Sequence, residues 1–188
     1  MNRTTHQMQY LTFHLAGEEY SVDILQVKEI IEYDALTKVP MTPAWVRGVI
    51  NLRGSVAAVI DLAVKFGHPE SPVGKRTCIV IVEVDLGGER SIMGIMADAV
   101  SQVMELPPQE ITAPPAFGTK IRTDYLKGMG KLGKKFVLIL DADRVLSADE
   151  LQVVASLQET AGSDPRPGEV RIHPRARGER RGRRQRRR

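Results

Sequence analysis

The chain carries few of the residues that redox, metal or nucleophilic chemistry needs. Its one cysteine, Cys78, excludes an internal disulfide and any cluster of thiolate ligands. That residue sits in the apolar run "TCIVIVEV", where a thiol behaves as a small buried hydrophobe. The four histidines, His6, His14, His68 and His173, show no ligand spacing, and none lies near Cys78 in sequence. Phosphate-loop, zinc-protease and nucleophile-elbow motifs are missing. "GMGKLGKK" is glycine-rich and basic, yet it lacks the strand-to-helix context of a phosphate loop and reads as a turn. No catalytic, cofactor-binding or metal-binding residue is assigned, and no enzyme is expected. Aromatics are only 5% of the chain against 42% hydrophobic residues, so the core is expected to be aliphatic. No apolar run approaches the ~18 residues that span a bilayer. The opening "MNRTTHQMQY" lacks the apolar run of a secretory signal. The expectation is a cytoplasmic protein without membrane insertion.

The net charge of +4 hides a division. From Ser163 onward, 11 arginines stand against Asp164, Glu169 and Glu179, a balance of +8. The rest has 16 Lys and Arg against 20 acids, a balance of −4. A mildly acidic body therefore carries a basic tail. The tail has only Pro, Gly and Arg in quantity and no periodicity, so residues 159–188 are expected to be disordered, as are residues 1–8. Its density of arginine suits RNA or anionic lipid by charge alone.

Between these ends the pattern is that of short strands. "QYLTFHLAGEEYSV" alternates around a Gly turn and predicts a hairpin. In "DILQVKEIIEY", Asp23 can cap a short helix with Ile24, Val27 and Ile31 on one face, although the β-branched residues would suit a strand as well. "TPAWVRG" predicts one helical turn, with Thr42 as cap, Pro43 at the first position and Gly48 at its end. "VINLRGSVAAVIDL" reads as two strands bending at Arg53-Gly54, and Gly87-Gly88 marks another hairpin. "SADELQVVASLQE" predicts a helix with Ser147 as cap and Leu151, Val154 and Leu157 on one face.

The chain also repeats itself. "WVRGVINLRGSVAAVIDL" (45–62) aligns without a gap to "YLKGMGKLGKKFVLILDA" (125–142), placing Trp45 on Tyr125, Arg47 on Lys127, Gly48 on Gly128 and Asp61 on Asp141. The Gly-Glu turns at Gly17 and Gly88 match, as do Gln26-Val27-Lys28-Glu29-Ile30 and Gln102-Val103-Met104-Glu105-Leu106. The three blocks keep their order while their offset grows from 71 to 76 to 80, which indicates a duplication. Short antiparallel strands with tight turns and no strand–helix alternation predict two small β-barrels packed together. Equivalent placement of Asp61 and Asp141 favours a turn or capping role over a catalytic carboxylate pair. Position 53 departs from the symmetry: Arg53 falls opposite Gly133, so closure of the turn does not demand it.

"EEYSVDILQVKEI", "TPAWVRGVINLRG", "VIDL", "IMADAVSQVMEL" and "YLKGMGKLGKKFVLIL" together resemble the CheW-type chemotaxis coupling proteins. The resemblance covers about residues 9–155 and places a CheW-like domain at 9–158. It implies a mainly β fold of two five-stranded SH3-like barrels with short helical turns and a C-terminal helix. It also implies a scaffold that joins the cytoplasmic tip of methyl-accepting chemotaxis receptors to the regulatory domain of a CheA-type histidine kinase, in receptor arrays at the inner face of the membrane. Carried over by motif, Ile24, Val27, Glu29, Arg53, Val100 and Val103 are candidates for the receptor face or its support. Ile30 is the candidate kinase contact. Ala58 stands where the family usually has proline, and Ala63 where it often has arginine. The arginine tail lies outside the pattern.

Overall fold

The computed structural model describes residues 8–34, 36–115 and 121–162, and the expectations for the first residues and for the tail beyond 162 fall outside that range. Turn chemistry and alternation set the strands. β1 (Met8–Leu15) and β2 (Glu18–Asp23) meet at Ala16-Gly17, both with positive φ, a turn whose twist matches that of its strands. The Asp23 carboxylate then accepts a hydrogen bond from Leu25 N–H at 2.9 Å and caps a single 3-10 turn, Ile24–Gln26. The helical reading of this segment fails after that turn. Val27, Ile30 and Ile31 instead extend in β3 (Val27–Glu32), antiparallel to β6 (Cys78–Leu86), where β-branched side chains pack without the crowding of a helix.

β4 (Val46–Leu52) and β5 (Ser55–Ile60) join at Arg53-Gly54 as expected. The helical turn expected from Thr42 to Gly48 is only a β-turn, closed by Val46 N–H donating to the Pro43 carbonyl at 2.9 Å. Thr42 does not cap it, because its hydroxyl donates to the Val39 carbonyl. Gly48 lies inside β4 rather than ending a turn. A Cβ there would sit 2.6 Å from the Thr37 carbonyl oxygen, and at its twin Gly128 the same atom would sit 2.8 Å from the Thr112 oxygen. Both glycines follow a bulge that lets a neighbouring segment approach the strand backbone. Asp61 caps the short α1 (Leu62–Lys65), accepting from Val64 N–H at 3.1 Å. β6 and β7 (Glu89–Ala97) form the Gly87-Gly88 hairpin. β8 (Ala99–Leu106), β9 (Ile111–Thr112), β10 (Leu126–Leu132) and β11 (Lys135–Leu140) follow. α2 (Ala148–Gly162) opens with a capping box, in which the Glu150 carboxylate accepts from Ser147 N–H at 2.7 Å and the Ser147 hydroxyl accepts from Glu150 N–H at 3.3 Å. It runs on to Gly162, past residue 158.

The strands form two sheets, in the orders β8-β1-β2-β11-β10-β9 and β3-β6-β7-β5-β4. The first holds six strands rather than five, because the two-residue β9 joins its edge. Neither ladder closes on itself among the described residues, so each barrel is an open sheet wrapped around an apolar interior. Ile31, Ile50, Val59, Ile79 and Met96, one from each strand of the second sheet, fill one interior. Tyr10, Met104, Leu106, Val137 and Ile139 fill the other.

The repeats do not map one to each barrel. The second sheet takes β3, β4 and β5 from the first repeat but β6 and β7 from the second, and the first sheet reverses the exchange. Two parallel pairings seal it, Leu138 beside Tyr20 and Ala58 beside Met93. A third and larger apolar cluster, including Phe13, Leu15, Val22, Ile60, Leu62, Val80, Leu140 and Val154, lies where the barrels meet.

One cation sits within that junction. Lys65, whose side chain is 5% exposed, places its ammonium 5.4 Å from the Trp45 ring and 5.2 Å from the Tyr125 ring, the twin aromatics of the two repeats. Glu150 from α2 takes its charge at 2.5 Å. Phe66 adds ring contacts to Tyr20 and Tyr125 at centroid distances of 6.0 and 5.8 Å. A desolvated ammonium between ring faces is favourable, but it depends on its counter-charge. Burial pushes the Glu150 carboxyl up, yet hydrogen bonds from Lys65 and from Ser147 outweigh it and hold the group below its ordinary 4.5. A depressed carboxyl contributes stability that is full above pH 4.5 and lost as pH falls through the folded value. Lys65→Met should therefore lower unfolding stability at pH 7 by about 3 kcal/mol in urea titration, as expected for stranding one partner of a buried pair. The gap to wild type should narrow below pH 4.5, where Glu150 protonates in both proteins.

Candidate docking surface

Edge strands and the barrel junction position the candidate residues. β3 and β8 are outer strands of their sheets and are repeat twins, so both present one unpaired edge. On β3 exposure alternates, with Val27, Glu29 and Ile31 half-buried and Lys28, Ile30 and Glu32 outward. Ile24, Val27 and Val100 are half-buried against the central cluster. Val103 stands outward, 49% exposed, opposite Leu11, and Ile30 is exposed on β3. Ile24, Val27 and Val100 thus share a support, while Ile30 and Val103 offer apolar side chains to solvent.

Glu29 and Arg53 are joined. The Arg53 guanidinium donates to the Glu29 carboxylate at 3.2 Å, linking β3 to the β4–β5 turn at the opposite edge of the same sheet. The contact is single rather than a bidentate fork, and the Arg53 side chain is 85% exposed. Arg53 holds φ at 52°, in the left-handed region that disfavours any residue with a Cβ, and Gly133 holds 61° at the matching place. The first repeat thus keeps an arginine where the backbone favours glycine. In the second repeat Glu105, the twin of Glu29, accepts instead from Gln9 at 3.0 Å.

A groove of about 360 Å³ opens where the barrels meet, lined by Leu25, Gln26, Glu83, Asp85, Lys127 and Asp143 among others. Its charges are cross-braced. Glu83 takes Lys28 at 2.8 Å and Arg90 at 2.5 Å, and these two hydrogen-bonded cations hold its carboxyl below the ordinary value. Asp143 accepts from Asp85 N–H at 2.9 Å and from the Gln26 amide at 3.3 Å, while Gln26 Oε1 is buried without a donor. Leu25, 84% exposed on the 3-10 turn, overhangs this groove and is absent from the sequence-derived candidates. A signal existed: it is the one apolar residue of "DILQV" that falls off the i, i+3 face. Asp61 and Asp141 do cap, each also donating its backbone N–H to the carbonyl of Trp45 or Tyr125 at 2.8 Å. The surface is built for contact, with apolar edges, a fixed ion pair and a braced polar groove.

The family model of the CheW-like domain matches residues 9–150. The chain belongs to the CheW-like family. The chemotaxis protein CheW of Klebsiella aerogenes is 36% identical over 152 residues, covering 81% of this chain and 89% of the relative. That of Treponema pallidum is 32% identical over 151 residues, covering 80% and 89%. The crystal structure of the scaffolding protein TtCheW from Thermoanaerobacter tengcongensis superposes with a TM-score of 0.69 at 33% identity, over 77% of this chain and 97% of that one. The mainly β, SH3-like architecture of the family is therefore this chain's fold. No helix among the described residues is long and apolar enough to cross a membrane.

Within this CheW-like fold, Arg53→Gly should keep stability within about 1 kcal/mol of wild type. Relief of a left-handed arginine offsets the loss of an exposed pair worth ~0–1 kcal/mol. Urea unfolding checks this, and a loss above about 2 kcal/mol would make Arg53 structural.

Proposed function

We propose that this chain is a non-catalytic scaffold of bacterial chemotaxis signalling that couples methyl-accepting receptors to a CheA-type histidine kinase. The observation that carries the reading is the Glu29–Arg53 pair in a chain of the CheW-like family, an arginine kept in a left-handed turn whose twin is glycine. A residue held against its backbone preference points to function rather than to closure of the turn. The receptor's helical tip docks along Val27, Glu29 and Arg53, with Ile24 and Val100 as support and Val103 at the margin. Helix-in-groove contacts of this kind use apolar anchors and a few oriented charges. Ile30, outward on the β3 edge, contacts the regulatory domain of the kinase. The site of action is the cytoplasmic side of the membrane, beside the receptors.

The test is reconstitution of receptor fragments, kinase and this protein. Arg53→Glu should keep a near-native melting temperature and weaken receptor binding at least about tenfold, or 1.4 kcal/mol. Kinase binding alone should change less. Adding Glu29→Arg should restore part of the coupling. Val103→Asp should weaken receptor binding without loss of fold, whereas Val27→Asp should also cost about 1–3 kcal/mol of stability, because Val27 is half-buried. A folded Arg53→Glu protein that couples receptor to kinase like wild type would overturn the reading.

A further inference from the structure

The duplication supplies an internal control for surfaces as well as for single residues. In the first repeat the outer face of the β4–β5 hairpin is covered by α2. Val49 and Ala58 are buried there, Val56 is half-buried, and Val154 and Leu157 of the helix share their cluster. The matching face of β10–β11 carries Met129, Leu138 and Phe136. Strand alternation fixes their outward side, since Val137 and Ile139 fill the barrel interior. In the register, Met129 lies opposite Leu138, and Lys131 opposite Phe136. All three apolar residues are more exposed than their twins, Phe136 at 59%. Leu138 packs against the central cluster, which leaves Met129 and Phe136 as the open part of the face. The described part of the chain supplies no second helix to cover them.

The charges differ in the same direction. Arg47, Asn51, Gly54 and Ser55 of the first hairpin are replaced by Lys127, Lys131, Lys134 and Lys135. Arg47 is tied to Glu70 at 2.7 Å, whereas the four lysines are exposed and form no salt bridge among the described residues. Lys131, opposite Phe136, shares the outer face and Lys134 stands at its turn, while Lys127 lines the groove between the barrels and Lys135, opposite Leu132, belongs to the other side of the hairpin. Lysines alone could serve to keep a sheet edge from pairing with another chain. They do not account for an exposed phenylalanine and a half-open methionine on the face that Lys131 and Lys134 border.

We infer that the outer face of the β10–β11 hairpin docks an amphipathic helix with an acidic flank, supplied by a partner protein. α2 shows what fits the twin face: a helix with Leu151, Val154 and Leu157 toward the sheet and Asp149, Glu150 and Glu159 among its polar residues. The chain's own α2 is held on the first hairpin by the Lys65–Glu150 pair. The tail is no candidate, since its 11 arginines would meet Lys131 and Lys134. An acidic helix satisfies both halves of the surface, with apolar ridges on Met129 and Phe136 and carboxylates toward Lys131 and Lys134. This surface is separate from the Glu29–Arg53 edge, and it stands or falls independently of the receptor reading.

The test uses the full chain with ¹³C-labelled methionine methyls and a capped synthetic peptide of residues 147–162, the one helix shown to fit the twin face. Met129 should shift saturably, while Met93, buried on β7 beside β5, should not. A peptide with Asp149, Glu150 and Glu159 changed to lysine should bind about tenfold more weakly. Phe136→Ser and the double variant Lys131→Glu/Lys134→Glu should each weaken binding by a similar factor, with circular dichroism confirming their fold. An unmoved Met129, equal binding of the two peptides, or binding that survives both surface variants would overturn the proposal. A single-stranded RNA 16-mer that moves Met129 at lower concentration than the peptide would also overturn it, by assigning the face to another class of partner.

Discussion

Each barrel is completed by a hairpin that the other repeat supplies, and the rest of the molecule follows from that exchange. β2 lies parallel to β11, and β7 parallel to β5, so neither repeat holds a full sheet of its own. The exchange forces the barrels together and creates the central apolar cluster between them. It also brings the twin aromatics Trp45 and Tyr125 to either side of one point. A single side chain can occupy that point, so the symmetry breaks: Lys65 takes it, and its repeat equivalent Val145 is buried as an ordinary hydrophobe. Glu150 then ties α2 over the first hairpin, and among the described residues no helix lies over the equivalent face of the second.

The candidate docking residues inherit their geometry from the same exchange. β3 and β8 are left at the sheet edges because the borrowed hairpins occupy the interior positions of each ladder. The arginine at the β4–β5 turn reaches across to β3 because the sheet curls around Ile31, Ile50 and Ile79. A cost of about 1 kcal/mol for a left-handed arginine is small beside the stability of a whole domain. The fold can therefore hold the Glu29–Arg53 pair at this exposed turn.

Local chemistry was readable from the residues themselves. The Ala16-Gly17, Arg53-Gly54 and Gly87-Gly88 turns and the Ser147–Glu150 cap are each written within a few positions, and the structure has all of them. The duplication could be read by offset, and comparison of its copies singled out Arg53 as a residue that closure of the turn does not demand. The exchange of hairpins could not, because Tyr20 meets Leu138 across more than a hundred residues and leaves no periodic trace. Lys65 in "LAVKFG" looks like any surface lysine, since its burial depends on rings from both repeats. "DILQVKEII" satisfied helix and strand patterns alike, and tertiary pairing with β6 decided the matter. Thr42 misled because its hydroxyl had a closer acceptor in the Val39 carbonyl than any donor in the turn.

The strand order also sets a timetable for synthesis. The second sheet uses β3 to β7, an unbroken run of chain, so it can assemble once residue 97 has left the ribosome. The first sheet needs β1 and β2 together with strands that end at Leu140. At about 5–20 residues per second, the N-terminal hairpin waits roughly 6–23 s after its own emergence for β11. During that interval the edge of β2 that will receive β11 has no partner in the nascent chain. The barrel that begins the sequence is the one that finishes last.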